Sequence, residues 1–240
     1  MRLYYYKCKK FLADEPNSNK KEAVFPICFE NKFFASHLAV KPQDKVLDLC
    51  TGSGILAIFS AQKAKKVVAV DFNPRALEVA KINAQINKEV SKIDFRKGDL
   101  FEVIKKGEKF DLIVINPPFE PVPPGFSTYL HSNGGKEGTK VLKKFLKIVK
   151  FYLNKNGSFQ FISWIPESKL KIIEGLESKF PKHSLKIHQF HSLSPSKMFV
   201  RLRKRLFKNN KKIKSPKIKN WLKEKYLFLF VECLSSHHLD

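Results

Sequence analysis

The chain alternates short apolar runs with longer stretches in which apolar residues recur every three or four positions, and from residue 45 onward the order is regular. KVLDLC (45–50) is a strand-length run, and GILAIFSAQKA (54–64) follows with helical spacing. KVVAVD (66–71) predicts a second strand. NPRALEVAKINAQIN (73–87) predicts a helix that Asn73 caps and Pro74 opens. KIDFRKG (92–98), DLFEVIKK (99–106) and FDLIVIN (110–116) read as strand, short helix and strand. GTKVLKKFLKIVKFYLNK (138–155) has helical spacing and is expected to stop at Asn156-Gly157. GSFQFIS (157–163), SKLKIIEGLESKF (168–180), SLKIHQF (184–190) and YLFLFVECL (226–234) predict a strand, a helix and two closing strands. Residues 1–30 read as irregular, with turn signals in DEPNSNKK, and NKFFASHLAV (31–40) as a short helix stopped before Pro42.

This alternation predicts an α/β fold with a mostly parallel sheet covered on both faces. The expected organisation is an N-terminal segment, residues 1–40, and one main domain, residues 41–240. Composition adds bounds. A chain of 240 residues can bury one sizeable core, and 43% hydrophobic content excludes a disordered chain. The four cysteines show neither Cys-x-x-Cys pairing nor metal-ligand spacing, and the histidines show no metal pattern, so no metal is expected. No apolar run approaches the ~18 residues of a membrane span, and the N-terminus lacks a signal peptide's apolar centre. The reading is a chain of the reducing cytoplasm.

The net charge is +24, and residues 197–225 hold thirteen lysines and arginines against Glu224 alone, half of the total. That stretch reads as a basic insertion of about 192–225 between the last two strands. Arg201, Arg203, Lys204 and Arg205 are its candidate RNA contacts. Two explanations stay open: binding of a polyanion, and the composition bias of a chain rich in Lys, Phe, Asn and Ile.

Candidate chemistry sits at the carboxyl ends of the strands, where ligands bind in open α/β sheets. In DLCTGSG, Gly52 and Gly54 let a ligand approach the main chain. Asp71 ends the second strand, where a carboxylate can accept from both hydroxyls of a ribose. Gly52 to Ala57 also fits the dinucleotide pattern G-x-G-x-x-A. Asp48, just before the loop, would face an ammonium group more readily than a pyrophosphate. The fourth strand runs into NPPFEPVPPG (116–125), five of whose ten residues are proline.

In VLDLCTGSG, Asp71, GDLF (98–101) and NPPF (116–119), in that order and at that spacing, the chain resembles class I S-adenosylmethionine-dependent methyltransferases. GDLFE and GGKEGTKVL bring it nearest the release-factor glutamine methyltransferases within the small-domain branch. The resemblance covers roughly residues 40–165. It implies a Rossmann-like, doubly wound, seven-stranded sheet with a final antiparallel strand, and S-adenosyl-L-methionine as cofactor. It carries cofactor contacts onto Asp48, Cys50, Thr51, Gly52, Gly54, Asp71, Phe72, Asp99, Leu100 and Asn116. Asp99 would meet the adenine amine, against the alternative of a helix cap. Cys50 stands where glycine is usual, so it either crowds the methionine end of the cofactor or simply suits the backbone angles there.

The resemblance also implies a reason for the prolines. An amide or aryl-amine nitrogen is a poor nucleophile because its lone pair is delocalised. The Asn116 side-chain oxygen and the Pro117 carbonyl would accept its two N–H bonds and hold it in line with the methyl group. The proline rings fix this backbone and have no N–H of their own to compete. Phe119 would offer a flat face to the planar acceptor. The long loop after the motif, with Phe126 and Tyr129, reads as a lid.

Three functions follow. The first is methylation of a protein glutamine side chain. The second is the same chemistry on an exocyclic amine of RNA or DNA. The third is a reductase or non-catalytic module holding a nucleotide. The glutamine methyltransferases usually carry a sizeable N-terminal helical domain, whereas here about 40 residues precede the sheet.

Overall fold

The computed structural model describes residues 1–15, 18, 20–122, 129–190 and 226–235. Its centre is a seven-stranded sheet built from β3 (Lys45–Leu49), β4 (Lys66–Asp71), β5 (Ile93–Lys97), β6 (Phe110–Ile115), β7 (Leu153–Pro166), β8 (His183–Phe190) and β9 (Tyr226–Ser235). The order across the sheet is β5-β4-β3-β6-β7-β9-β8. Strands β3 to β7 pair in parallel, and β9 runs antiparallel to both its neighbours. The expected Rossmann-like sheet with its antiparallel last strand is therefore present.

Two cores flank the sheet because alternate strand residues point to opposite faces. Val46, Leu112, Val114, Phe228 and Phe230 face α1 (Phe29–Ser36), α2 (Ile55–Ala61) and neighbouring residues. Leu47, Leu49, Ile113, Ile115 and Leu229 face the side closed by α4 (Lys140–Ile148). Burial on both faces explains why the strands read as unbroken apolar runs. Helix α3 (Pro74–Ile86) begins as expected, with the Asn73 side chain accepting from the Arg75 amide at 3.1 Å.

Four local expectations are corrected. Residues 2–13 are not irregular: β1 (Arg2–Tyr6) and β2 (Lys9–Ala13) form an antiparallel hairpin. Its turn uses Lys7 and Cys8 at φ +43° and +60°, so it carries none of the glycine or asparagine that mark such turns in sequence. Asn156-Gly157 does not end a helix. Helix α4 ends at Ile148, and β7 already starts at Leu153, pairing with Phe110. The Asn156-Gly157 signal instead falls in an irregularity of the β6–β7 register, where a Cβ on Gly157 would lie 2.7 Å from the Phe110 carbonyl. The helix expected over 168–180 is broken into α5 (Lys171–Glu174) and α6 (Leu176–Lys179) at Gly175, a residue that weakens helix interiors. Residues 100–103 form a 3₁₀ turn rather than an α-helix.

Among the described residues no helix is long and apolar enough to cross a membrane. The basic stretch, with Arg201, Arg203, Lys204 and Arg205, lies outside the described residues, as do Phe126 and His237-His238.

Candidate functional site

Three loops meet at the carboxyl ends of β3, β4 and β6. The first follows β3. Its backbone enters the left-handed region at Cys50, Gly52 and Gly54, with φ of +59°, +55° and +81°. Thr51 N donates to the Val70 carbonyl at 3.0 Å, tying the loop to β4. At Gly54 a Cβ would sit 3.0 Å from Ala80 Cβ, so glycine lets α2 start hard against α3. At Gly52 the nearest atom to such a Cβ is the Cys50 carbonyl oxygen at 3.9 Å, which leaves the main chain open to a ligand. The φ at Cys50 explains why glycine suits this position. Its thiol is half-buried, and burial raises its pKa well above the ordinary value.

Asp48 is fully buried beneath this loop. One carboxylate oxygen, Oδ2, accepts from Thr51 Oγ1 at 2.6 Å, and among the described residues Oδ1 has no hydrogen-bond partner. Burial pushes its pKa up to about 7, against the pull of the Thr51 hydrogen bond. A buried carboxylate with one bare oxygen suits a cationic partner such as an ammonium group.

Asp71 closes β4 with both oxygens oriented. Oδ2 accepts from Gly52 N at 2.8 Å and Oδ1 from Asn73 N at 2.9 Å. Burial raises its pKa while these amides oppose the rise. Each oxygen retains a lone pair for a diol. Next to it Phe72 is 63% exposed, a free aromatic face beside a candidate ribose clamp. Asp99 does not cap the 3₁₀ turn with its side chain, which pairs with Lys144 Nζ at 3.0 Å on the surface. Leu100 is buried against the core at φ +51°.

The third loop follows β6. Leu49 pairs with Ile115, so Cys50 and Asn116 leave adjacent strands at the same level. Among the described residues neither the Asn116 side chain nor the Pro117 carbonyl has a hydrogen-bond partner. Phe119 packs edge-on to Phe228 with ring centroids 6.1 Å apart.

The chain then folds back along this motif. Glu120 N donates to Ser132 O, Gly134 N to Glu120 O, and Val122 N to Gly135 O, at 2.8 to 2.9 Å. A Cβ on Gly138 would lie 2.5 Å from the Phe119 carbonyl oxygen, and one on Gly134 would lie 2.6 Å from that of Gly138. Gly138 thus lets the returning chain lie flush against Phe119, and Gly134 lets that chain fold closely on itself.

The N-terminal segment joins these loops, which sequence reasoning missed. Asn83 is fully buried and bonds Leu12 N, Leu12 O and Ser53 O, fastening the hairpin to the glycine loop. Asp14 accepts from Val24 N and Arg75 Nη2, each at 2.8 Å. Asn73 Nδ2 donates to Glu22 O, Leu130 N to Lys21 O, and Tyr129 OH to Ser18 O. His131 Nδ1 lies 2.8 Å from Ala23 O, and its ring sits beside Phe25. One signal was available: Asn83 is a polar residue beside the alanine row Ala76, Ala80, Ala84 on the buried face of α3.

Comparison with known proteins places the chain in a family. A protein from Methanocaldococcus jannaschii assigned as a protein N5-glutamine methyltransferase is 40% identical over 128 residues, 51% of this chain and 62% of its own length. A release factor glutamine methyltransferase from Aliivibrio fischeri is 45% identical over 85 residues, 35% of this chain and 29% of its own. The chain thus spans less than two thirds of these curated relatives. Among solved structures, the M. jannaschii tRNA m1G37 methyltransferase superposes with a TM-score of 0.60 at 18% identity, covering 98% of this chain and 57% of that one. M. jannaschii TYW2 in complex with AdoMet gives 0.55 at 13% identity, covering 97% and 85%. These likenesses show the fold. The family model of the methyltransferase small domain matches residues 29–189, from α1 through most of β8 and across all three loops of the site. The chain belongs to the methyltransferase small domain family.

Proposed function

We infer that this protein is an S-adenosylmethionine-dependent methyltransferase acting on a planar amide or amine nitrogen, with a protein glutamine side chain as first choice. One observation carries the reading. At the end of β6 two acceptors, Asn116 Oδ1 and the Pro117 carbonyl, have no partner among the described residues and sit on backbone clamped by proline rings and by the glycine-rich return. They are preorganised for a group with two N–H bonds.

The cofactor fits the residues present. Asp48 offers a bare, buried carboxylate oxygen to its ammonium end, Gly52 leaves room at the main chain, and Asp71 and Phe72 offer an oriented acceptor and an exposed ring to its nucleoside end. The cofactor supplies an activated methyl group on a sulfonium. The chain's own contribution is placement: Asn116 and Pro117 hold the nitrogen through its hydrogens, and Phe119 limits the orientation of the plane. The name of the 40%-identical relative supports glutamine as the acceptor. The net charge of +24 favours a second reading, an exocyclic amine of RNA or DNA.

The test is transfer of labelled methyl to a whole-cell lysate, with the product separated into protein, RNA, DNA and small molecules. Label is expected in protein. Label in RNA or DNA alone moves the assignment to the second reading. Binding of NAD but not S-adenosylmethionine would return the loop to the reductase reading. Asn116→Ala is expected to lower transfer by about 10²-fold or more, with cofactor affinity within a few-fold. Near-normal turnover in that variant removes the mechanism's main support.

A further inference from the structure

The opposite end of the sheet carries a second concave site. A cavity of about 500 Å3 opens at the amino ends of β6, β7 and β8, ringed by Lys109, Lys150, Lys155 and Lys179 over a floor of Leu153 and Phe180. Lys109 precedes β6, Lys155 lies in the opening residues of β7, Lys150 sits in the 3₁₀ turn before it, and Lys179 ends α6. Asn116 lies beyond the other end of β6, a six-residue strand. At about 3.3 Å per residue, the two sites are roughly 20 Å apart, so this cavity is no part of the acceptor pocket.

Its electrostatics are one-sided. Among the described residues no carboxylate lines it and none of the four lysines forms a salt bridge. Lys109 Nζ donates to the Leu153 carbonyl at 3.3 Å and so is steered toward the floor. Two acids near the start of β6, Asp111 and Glu108, are already committed. Asp111 accepts from Asn154 Nδ2 at 2.6 Å and from Lys45 N at 2.8 Å. Glu108 is held by Arg96 and Lys45. Other lysines of this chain do find acids: Lys9 pairs with Glu89, Lys143 with Glu137 and Lys144 with Asp99. Lys150 Nζ lies over the exposed Phe151 ring, 5.0 Å from its centroid; four lysine side chains around one opening repel one another, and an anion seated among them turns that repulsion into attraction toward the ligand.

We propose that this cavity is a binding site for an oligophosphate. Lysine acts on phosphate as a point charge with rotatable donors, so four of them match a chain of two or three phosphates better than one carboxylate. The cavity volume lies within the ~300–1,000 Å3 of ordinary small-ligand sites. The phosphates come from one of two sources, a free polyphosphate or nucleotide tail, or the terminal phosphates of an RNA.

The probe is inorganic tripolyphosphate, titrated calorimetrically into the full chain at low and moderate salt. The variant is K150Q/K155Q/K179Q, which removes three charges at exposed positions. A control, K63Q/K65Q/K88Q, removes three charges elsewhere. Binding is expected to weaken at least 10-fold in the pocket variant and less than 2-fold in the control, with S-adenosylmethionine affinity unchanged in both. Absence of binding by the wild-type chain at low salt overturns the proposal. So does equal weakening by the two variants, since it reduces the effect to net charge. Competition with a 5′-triphosphorylated RNA oligonucleotide and with its unphosphorylated form separates the sources. Displacement by the former alone assigns the site to RNA ends, and displacement by neither assigns it to a free oligophosphate. Equal displacement by both makes the cavity a general polyanion surface and overturns the proposal.

Discussion

The glycine-rich return loop gives the sharpest test of how the acceptor site is built. Gly138 has φ +76°, and a Cβ there would lie 2.5 Å from the Phe119 carbonyl oxygen, about 1 Å inside ordinary contact. Gly138→Ala therefore costs twice. The left-handed backbone costs an L-residue roughly 1–2 kcal/mol. The clash adds about 1–3 kcal/mol, the usual range for overpacking, or else is relieved by displacing Phe119 and the motif with it. Gly107 separates the two terms, because it has φ +78° and an added methyl there would meet nothing within 4 Å.

Gly107→Ala should thus lose only the backbone term, less the ~0.4–1 kcal/mol that any Gly→Ala change gains by restricting the unfolded chain. For a chain of this size that is a few degrees in Tm, at ~2–4 °C per kcal/mol. Gly138→Ala should lose more stability, and its activity should fall out of proportion. A displacement of ~1 Å at a positioning group can cost 10²-fold in rate, while the residues proposed to hold the cofactor after β3 and β4 are untouched. The assays are thermal melting, calorimetric cofactor binding and labelled-methyl transfer on both variants. If Gly138→Ala melts with Gly107→Ala and transfers methyl at the wild-type rate, the return loop does not set the acceptor geometry.

Three further changes probe the cofactor side. Asp71→Ala should weaken S-adenosylmethionine binding by an order of magnitude or more, since each hydrogen bond to a charged acceptor contributes roughly 1.5–3 kcal/mol; unchanged calorimetric affinity in the folded variant would place the cofactor elsewhere. Cys50→Gly removes a side chain from a backbone at φ +59° and should raise Tm while leaving cofactor affinity equal or tighter; a fall in affinity would show that the thiol makes a favourable contact. Asp48 has a folded pKa raised from 3.8 to about 7, so the folded chain binds the extra proton and its contribution to stability is lost as pH rises through that window. In cofactor-free protein, denaturation should show Asp48→Asn gaining on wild type from about pH 4 to 7, and parallel pH profiles would mean that Asp48 is ionised without strain.

The sheet was legible because its strands are buried on both faces and therefore read as unbroken apolar runs between helical stretches. The glycine loop and NPPF were legible because each uses residues with special backbone properties, two glycines at positive φ and two prolines with fixed φ. The elements that escaped are those whose information is not local. The hairpin of residues 2–13 turns through lysine and cysteine, and its Leu12 is held by Asn83, 71 residues away in sequence. The break at Gly175 and the early start of β7 depend on what lies opposite. Phe110 takes Leu153 as its partner and leaves Asn156-Gly157 to a bulge, so a turn signal was real but its structural use was set by pairing.

The same reasoning changes what the N-terminal segment is. Along the chain, residues 1–40 are an appendage before the sheet. In space, Glu22 O is bonded to Asn73 beside the Asp71 clamp, Lys21 and Ala23 are bonded to Leu130 and His131, and the Leu130–Ser132 stretch pairs in turn with Glu120 of the acceptor loop. The loops proposed to hold cofactor and acceptor are therefore coupled through this backbone as well as through the β3–β6 pairing. In the proposed reaction a nitrogen must meet a methyl group within a few tenths of an ångström of the productive line, and a segment that spans both loops holds them to each other beyond the ends of their strands. Residues 21–24 are that span, and Asp14, buried and accepting from Val24 N and Arg75 Nη2, pins its end to α3.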